Sequence, residues 1–164
     1  MIWLPREVVE LIDVALVSEL SVVRTDGRPI IYPLIPFWDG ERVLMTSSIL
    51  FSRKLEHIKD NGRVSLSFSD PVALGGRPDR ALIQGDARVV DGDPHTEWQR
   101  VLPLWSAKEP VILEFLKSRV SFPLFFERSV IEVTPRRVFY WADGDTSQPP
   151  RVTTEPGALS GKAA

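Results

Sequence analysis

The sequence predicts a mainly β protein, in which six to seven antiparallel strands and three short helices form a closed or split β-barrel. Asp-Gly pairs, a strong hairpin signal between apolar runs, separate three segments rich in β-forming residues: 20–25, 29–37 and 42–47. Residues 63–69 then alternate Val64, Leu66 and Phe68 with serines, which is the period of a half-buried strand. Closure is expected because it removes the exposed edges that such a sheet would otherwise have.

The composition is that of one globular domain and excludes several functional classes. The chain has 164 residues, of which 43% are hydrophobic and 26% charged, enough for a sizeable core. The absence of cysteine excludes disulfides, thiolate metal sites and a cysteine nucleophile, and it fits a cytoplasmic location. The net charge of −2 predicts no general attraction to nucleic acid. Charged residues interrupt the apolar N-terminal pattern, so we expect neither a signal peptide nor a membrane span there.

The elements of the first half follow from local patterns. An amphipathic helix is predicted over residues 5–17, because apolar residues recur there with helical spacing. The strand over 29–37 contains three prolines and is therefore expected to be irregular or to lie at a sheet edge. A second short helix is predicted over 52–60, with Ser52 as its N-cap.

The second half is predicted to complete the barrel. Residues 80–93 read as a long strand that Gly85 bends or bulges. Two further strands are expected near the C-terminus, separated at Pro135, which cannot donate to a sheet ladder. Residues 1–148 are thus predicted to form a single domain, and residues 149–164 a polar C-terminal tail that is partly mobile.

Residues 94–128 are predicted to be a helical insertion into this barrel. The insertion is unusually aromatic, and its large rings are Trp98, Trp105, Phe115, Phe122, Phe125 and Phe126. So apolar a segment forms buried core, a lid over an open end of the barrel, or a subunit interface. The sequence leaves these three alternatives open.

Polar residues concentrate where the third β-run meets the second helix: Thr46, Ser47, Ser48, Ser52, Arg53 and Lys54. The start of a helix presents free backbone N–H groups and the positive end of the helix dipole, so it attracts anions. Hydroxyl donors, a guanidinium and an ammonium group complete a set suited to a phosphate ester. The alternative is an ordinary N-cap followed by two solvated cations.

The order of these motifs resembles the FMN-binding split-barrel superfamily that includes pyridoxamine 5′-phosphate oxidase. The shared pieces are the two Asp-Gly turns, Thr46-Ser47, Ser52-Arg53-Lys54, residues 63–66 and the Gly85 strand, over about two thirds of the chain. The resemblance implies a split barrel whose Thr-Ser pair and Ser-Arg-Lys motif hold the 5′-phosphate of FMN. It also implies a homodimer with the cofactor in the groove between subunits.

The resemblance returns near the C-terminus and then fails. Trp141 and Arg151 match a Trp and an Arg that, in the oxidase, reach the flavin bound by the other subunit. An alternative role for Trp141 is to cap the barrel core. The substrate-binding Arg and His of the oxidase are replaced by Ser147 and Pro149, so oxidation of vitamin B6 is not expected. By the same resemblance Tyr32 is expected to flank the flavin ring.

We therefore predict an oxidoreductase that transfers hydride to or from a small molecule. Its cofactor is expected to be FMN or, as in actinobacterial relatives, the deazaflavin coenzyme F-420 (F420). The alternatives are a non-catalytic dimer that binds flavin, deazaflavin or haem, and a cofactor-free interaction module. No motif identifies a catalytic residue, and a metal site is not expected because the two histidines, His57 and His95, lack metal-ligand spacing.

Overall fold

The fold is an antiparallel β-sheet that carries short helices at its ends. The computed structural model describes residues 3–50, 52–90, 92–117 and 127–156. Within these residues the helices are α1 (Arg6–Val14), α2 (Arg53–Asp60), a 3-10 helix (Glu97–Val101), α3 (Leu102–Lys108) and α4 (Ile112–Lys117), with a 3-10 turn at Ala142–Gly144. The strands are β1 (Ser18–Val23), β2 (Pro29–Leu34), β3 (Phe37–Trp38), β4 (Val43–Ser48), β5 (Arg63–Phe68), β6 (Arg80–Val89), β7 (Arg128–Trp141) and β8 (Arg151–Thr154).

The strands form one sheet in the order β2-β1-β5-β6-β7-β4-β3, and β8 also pairs with β7. The outermost strands of this order, β2 and β3, are joined by only Ile35 and Pro36. The sheet must therefore curl until its two edges lie side by side. This confirms the predicted mainly β, split-barrel class. The proline-rich run over 29–37 breaks into β2 and β3, as its composition indicated.

The prediction of two strands separated at Pro135 is wrong, because β7 runs unbroken through that residue. Pro135 pairs with Gly85 at the point where the register between β6 and β7 shifts and Arg136 is left without a partner on β6. The ladder is interrupted at such a bulge, so the missing proline N–H removes no necessary bond. The predicted bulge at Gly85 is confirmed, and an added Cβ there would lie 2.4 Å from the Thr134 carbonyl oxygen.

Two hydrophobic clusters form the core. The larger one fills the barrel, where Val8, Leu11 and Ile12 of α1 pack against the inward side chains of β1, β5, β6 and β7. Leu55 and Ile58 of α2 belong to the same cluster. The smaller cluster lies between β4 and the helical segment, by which we mean residues 97–117, and its residues are Phe37, Leu44, Trp98, Val101, Trp105, Ile112 and Val130.

Of the aromatic residues in the predicted insertion, Trp98 and Trp105 are buried core and Phe115 is 47% exposed. The rings of Trp98 and Trp105 contact each other edge to face, with centroids 6.5 Å apart. Phe122, Phe125 and Phe126 lie outside the described residues. The helical segment is thus attached to the barrel by large buried rings rather than by the exposed side of α4.

Lys108 makes a second attachment between the helical segment and the barrel. Its amine donates to the carbonyl oxygens of Ile12 at 2.7 Å and Ala15 at 3.0 Å, and it also contacts the carbonyl oxygen of Pro36. Burial lowers the pKa of this amine to about 8. The lysine thereby satisfies carbonyls at the end of α1 that have no partner within the helix.

The predicted domain boundary at residue 148 lies too early. Arg151–Thr154 forms β8, whose residues pair with Arg137–Tyr140 of β7. The folded sheet therefore includes the start of the predicted tail. The local sequence pattern does not predict this strand, because its four residues form a strand only by pairing with β7.

None of the helices within the described ranges is both long and apolar enough to cross a membrane.

Candidate functional site

The candidate site lies where β4 ends and α2 begins. Thr46 and Ser47, in the last half of β4, are only 6% and 2% exposed. In the sheet they pair with Val130 and Ser129 of β7, whereas β3 reaches only the first half of β4, at Val43 and Leu44. Successive side chains of a strand point to opposite faces, so Thr46 faces the helical segment and Ser47 faces the end of the barrel. The polar residues of the motif are consequently divided into two groups.

The first group, which we call the junction cluster, consists of Ser47, Ser52 and Lys54. The hydroxyl oxygens of Ser47 and Ser52 lie 2.9 Å apart. The Lys54 amine donates to Ser47 Oγ at 3.1 Å and to Ser52 Oγ at 3.3 Å. Ser52 occupies the predicted N-cap position of α2, yet its side chain makes no capping bond. Its hydroxyl instead contacts Ser47 Oγ and accepts a bond from Lys54, whereas the hydroxyl of an ordinary N-cap accepts a bond from a backbone N–H of the helix.

Lys54 is half-buried, and its electrostatic surroundings are positive. Burial lowers the pKa of its amine, and the nearby charge of Arg128 lowers it further. The amine lies 5.1 Å from the centroid of the Tyr32 ring, within the range of a cation–π contact. No carboxylate of the described residues forms an ion pair with it. A half-buried ammonium group without a carboxylate favours the approach of an anion.

The second group consists of Thr46 and Arg128, a residue that the sequence analysis did not select. Arg128 opens β7 and lies opposite Ser48 in the register. Its Nε donates to Thr46 Oγ1 at 3.0 Å, and its guanidinium lies 5.1 Å from the centroid of the Trp105 ring. Burial lowers the pKa of Arg128 to about 10. No local signal identifies this residue, because 82 positions separate it from Thr46 and only strand pairing brings the two together.

The remaining residues of the predicted motif lie at the edge of this site. The Ser48 hydroxyl accepts a bond from the backbone N–H of Leu50 at 3.2 Å, which shapes the turn after β4. Arg53 is exposed, and its side chain makes no hydrogen bond or ion pair within the described part of the chain. It is therefore a solvent-exposed cation, between Ser52 and Lys54 in sequence, that does not belong to the junction cluster.

Trp141 and Arg151 do not join the junction within one chain. Trp141 ends β7, the strand that Arg128 begins, so the two residues are separated by its whole length. The Trp141 indole N–H donates to the Gln148 carbonyl at 3.1 Å. Arg151 pairs with Glu7 at 2.9 Å and lies over the Tyr140 ring at 5.0 Å. Both residues line an open groove of about 490 Å³.

Among the residues that the structure describes, no group of three or more histidine, aspartate or glutamate side chains is arranged to hold a metal ion. His57 lies on α2 with its Nδ1 buried and without a hydrogen-bond partner in this part of the chain. The junction therefore offers hydroxyl, ammonium and guanidinium donors, which suit an anionic ester.

Many solved structures have folds similar to that of this chain. An F420 reductase has a TM-score of 0.60 and 23% identity, over 82% of this chain and 98% of that one. A Clostridium acetobutylicum protein related to general stress protein 26, of the pyridoxinephosphate oxidase family, has a TM-score of 0.62 and 15% identity, over 93% and 94%. A haem-binding protein from Mycobacterium smegmatis has a TM-score of 0.60 and 17% identity, over 92% of this chain and 59% of that one.

At these identities the structural neighbours establish the fold alone. A comparison with curated proteins gave no match. The family model described as pyridoxamine 5′-phosphate oxidase matches residues 4–142, a span that includes the junction cluster and β7. The chain therefore belongs to the pyridoxamine 5′-phosphate oxidase family.

Proposed function

We propose that the protein binds a phosphorylated flavin or deazaflavin at the β4–α2 junction and acts as an oxidoreductase on a small molecule. The observation that carries this proposal is the half-buried Lys54 amine on the Ser47 and Ser52 hydroxyls, with no carboxylate partner among the described residues. Within a family that includes a flavin-dependent oxidase, such a set of donors fits the phosphate of the cofactor.

The cofactor, when bound, supplies hydride transfer, so the protein itself needs no catalytic acid or base. Its residues have the simpler task of binding and orienting the cofactor. The ammonium group of Lys54 and the Ser52 hydroxyl hold the ester end. Tyr32, whose ring already contacts the Lys54 amine, lies where it can pack against the adjoining part of the ligand. FMN is our first candidate, and F420 is the alternative that the name of one structural neighbour supports.

We further propose a homodimer with two equivalent cofactor sites. The groove at Trp141 and Arg151 cannot serve the junction of its own chain, because β7 separates the two places. In a two-fold dimer, the same groove can face the cofactor held by the other subunit. Arg151 would then exchange its bond with Glu7 for a bond to the ligand.

The binding proposal is tested by titrating the purified protein with FMN and F420. Lys54→Met keeps the length and much of the apolar contact of the side chain but removes its charge. We expect it to weaken binding at least tenfold, as the loss of one charge-assisted hydrogen bond does. Lys59→Met is the matched control, because Lys59 lies on the same helix but is exposed and outside the cluster. Equal affinities for wild type and Lys54→Met would contradict the proposal.

A haem-binding protein without redox turnover is the second candidate, and one observation favours it. The Nδ1 atom of His57 is buried and has no hydrogen-bond partner among the described residues, and a free imidazole nitrogen can ligate iron. One structural neighbour is named as a haem-binding protein. Visible spectra of the protein with added haem distinguish the two candidates. A haem spectrum that disappears in His57→Ala, together with no binding of FMN or F420, would favour the second.

A further inference from the structure

A cavity of about 350 Å³ lies at the opposite end of β4 from the junction cluster. Trp38, in its wall, pairs with Val43, the first residue of β4, whereas Ser47 of the junction lies near the last. The wall brings together three distant parts of the chain, namely the segment before α1, the turn between β3 and β4, and the middle of β7 with the end of β8. Its volume is that of a small-molecule site. We call it the indole cavity.

Two indoles and a proline supply the apolar part of the wall. Trp3 and Trp38 each pack against the larger hydrophobic cluster, yet both remain partly exposed. Pro135, which is buried, lies beside them at the bulge of β7. The face of an indole carries negative electrostatic potential and attracts cations more strongly than any other side-chain ring. Two such rings in one cavity favour a cation that also has apolar surface.

Two carboxylates supply the polar part of the wall, and both belong to ordered backbone. Glu155 donates its backbone N–H to the Arg136 carbonyl at 2.9 Å, and its Oε2 lies 2.5 Å from Arg136 Nη1. Glu41 follows the Asp-Gly pair of the β3–β4 turn, where its backbone N–H donates to Asp39 Oδ1 at 2.8 Å. The cavity thus combines aromatic and anionic groups at fixed positions.

The neighbouring arginines leave these carboxylates only partly neutralised. Arg136 also binds Asp86 at 2.7 Å, so its charge is shared between two acids. Arg42 lies 3.5 Å from Glu41 but binds Glu132 more closely, at 3.0 Å. Among the described residues that line the cavity there is no lysine, arginine or histidine. The cavity therefore lacks a cation of its own.

We propose that the indole cavity binds the quaternary ammonium group of a small organic cation. Such a group carries a positive charge but has only methyl groups on its surface, so it needs no hydrogen-bond acceptor. It can pack against Trp3, Trp38 and Pro135 while the carboxylates of Glu41 and Glu155 balance its charge. The cavity is separate from the β4–α2 junction, so this proposal does not depend on the proposed function.

The experiment is a calorimetric titration of the full chain with choline. The same titration is made with the uncharged isostere of choline, in which a tert-butyl group replaces the trimethylammonium group. We expect choline to bind at least tenfold more tightly than the isostere. Trp38→Leu and Glu41→Gln should each weaken choline binding about five- to tenfold. Glu114→Gln is the matched control, because it removes the same charge from a side chain that is 69% exposed and lies on α4, outside the cavity.

Three results would overturn the inference. The first is no choline binding by the wild type up to about 10 mM. The second is equal affinity for choline and its isostere, since binding would then depend on shape alone. The third is choline binding that neither variant weakens, which would place the cation elsewhere. If Trp38→Leu does not fold, Glu41→Gln decides, because its side chain is 77% exposed and contributes little to the core.

Discussion

Replacing Glu132 by glutamine is expected to destabilise the protein by about 3 kcal/mol. Glu132, on β7, is 4% exposed and accepts bonds from three arginines. Its Oε2 lies 3.0 Å from Arg42 Nη1 and 2.5 Å from Arg88 Nη2, and its Oε1 lies 2.6 Å from Arg100 Nη2. These arginines come from the turn before β4, from β6 and from the 3-10 helix. One carboxylate therefore connects two strands to the helical segment that carries Trp105.

The magnitude follows from the exposure of each partner. Charge-assisted hydrogen bonds that are partly buried contribute about 1.5–3 kcal/mol each. The side chains of Arg42 and Arg100 are 32% and 37% exposed. When the carboxylate is removed, water therefore replaces part of the hydrogen bonding that these two arginines lose. Arg88 is 66% exposed, and its pair is worth at most about 1 kcal/mol. Glutamine keeps the volume of the side chain, so the loss is electrostatic and contains no cavity contribution.

Urea unfolding followed by tryptophan fluorescence measures this loss, and the melting temperature should fall by roughly 6–12 °C. Arg88→Gln is the matched control, since it removes only the most exposed of the three pairs and should cost less than about 1 kcal/mol. An unfolding free energy for Glu132→Gln within about 0.5 kcal/mol of wild type would refute the reasoning. Equal losses in the two variants would refute the assignment of the stability to the buried carboxylate.

Two other predictions follow from the fold. Gly85→Ala should destabilise the protein by about 2 kcal/mol in urea unfolding, because the new Cβ would lie 2.4 Å from the Thr134 carbonyl oxygen. A variant as stable as wild type would show that the backbone at the bulge can move to accommodate the Cβ. Burial alone would raise the pKa of Asp79, but bonds from the Tyr140 hydroxyl and from Arg77 lower it below 3.8. The carboxylate therefore stabilises the fold above about pH 4 and loses this contribution on acidification. Unfolding between pH 3 and pH 7 should show an advantage of wild type over Asp79→Asn that declines below about pH 4, and a constant difference would contradict the assignment.

Local patterns were sufficient to predict most of the elements and one part of the site. Residues 63–68 show why: apolar and polar side chains alternate along this strand, and the apolar ones are those on its buried face. The junction cluster is equally local, because Ser47, Ser52 and Lys54 lie within eight positions and the turn between β4 and α2 brings them together. Residue type and spacing alone could therefore predict these neighbours, although not that Ser52 makes no capping bond.

The errors occurred where pairing between distant segments overrides a local rule. Pro135 normally interrupts a strand, but the Gly85 bulge on the neighbouring strand lets β7 continue. Residues 151–154 have no distinctive pattern and form a strand because β7 offers a free edge. In both cases the deciding partner lies far away in the sequence.

By itself the sequence determined the antiparallel class, the two Asp-Gly hairpins and the cluster of hydroxyl and cationic groups after β4. These depend on periodicity, turn chemistry and short spacing, which act over a few residues. Only the tertiary structure decided that Thr46 and Ser47 point to opposite faces and that Arg128 stands beside Thr46. It also decided that Trp141 and Arg151 lie far from the junction of their own chain. The physical reason is that strand register and the packing of the helical segment depend on contacts between residues that are distant in the sequence. Local propensities depend only on neighbouring residues, so they cannot predict those contacts.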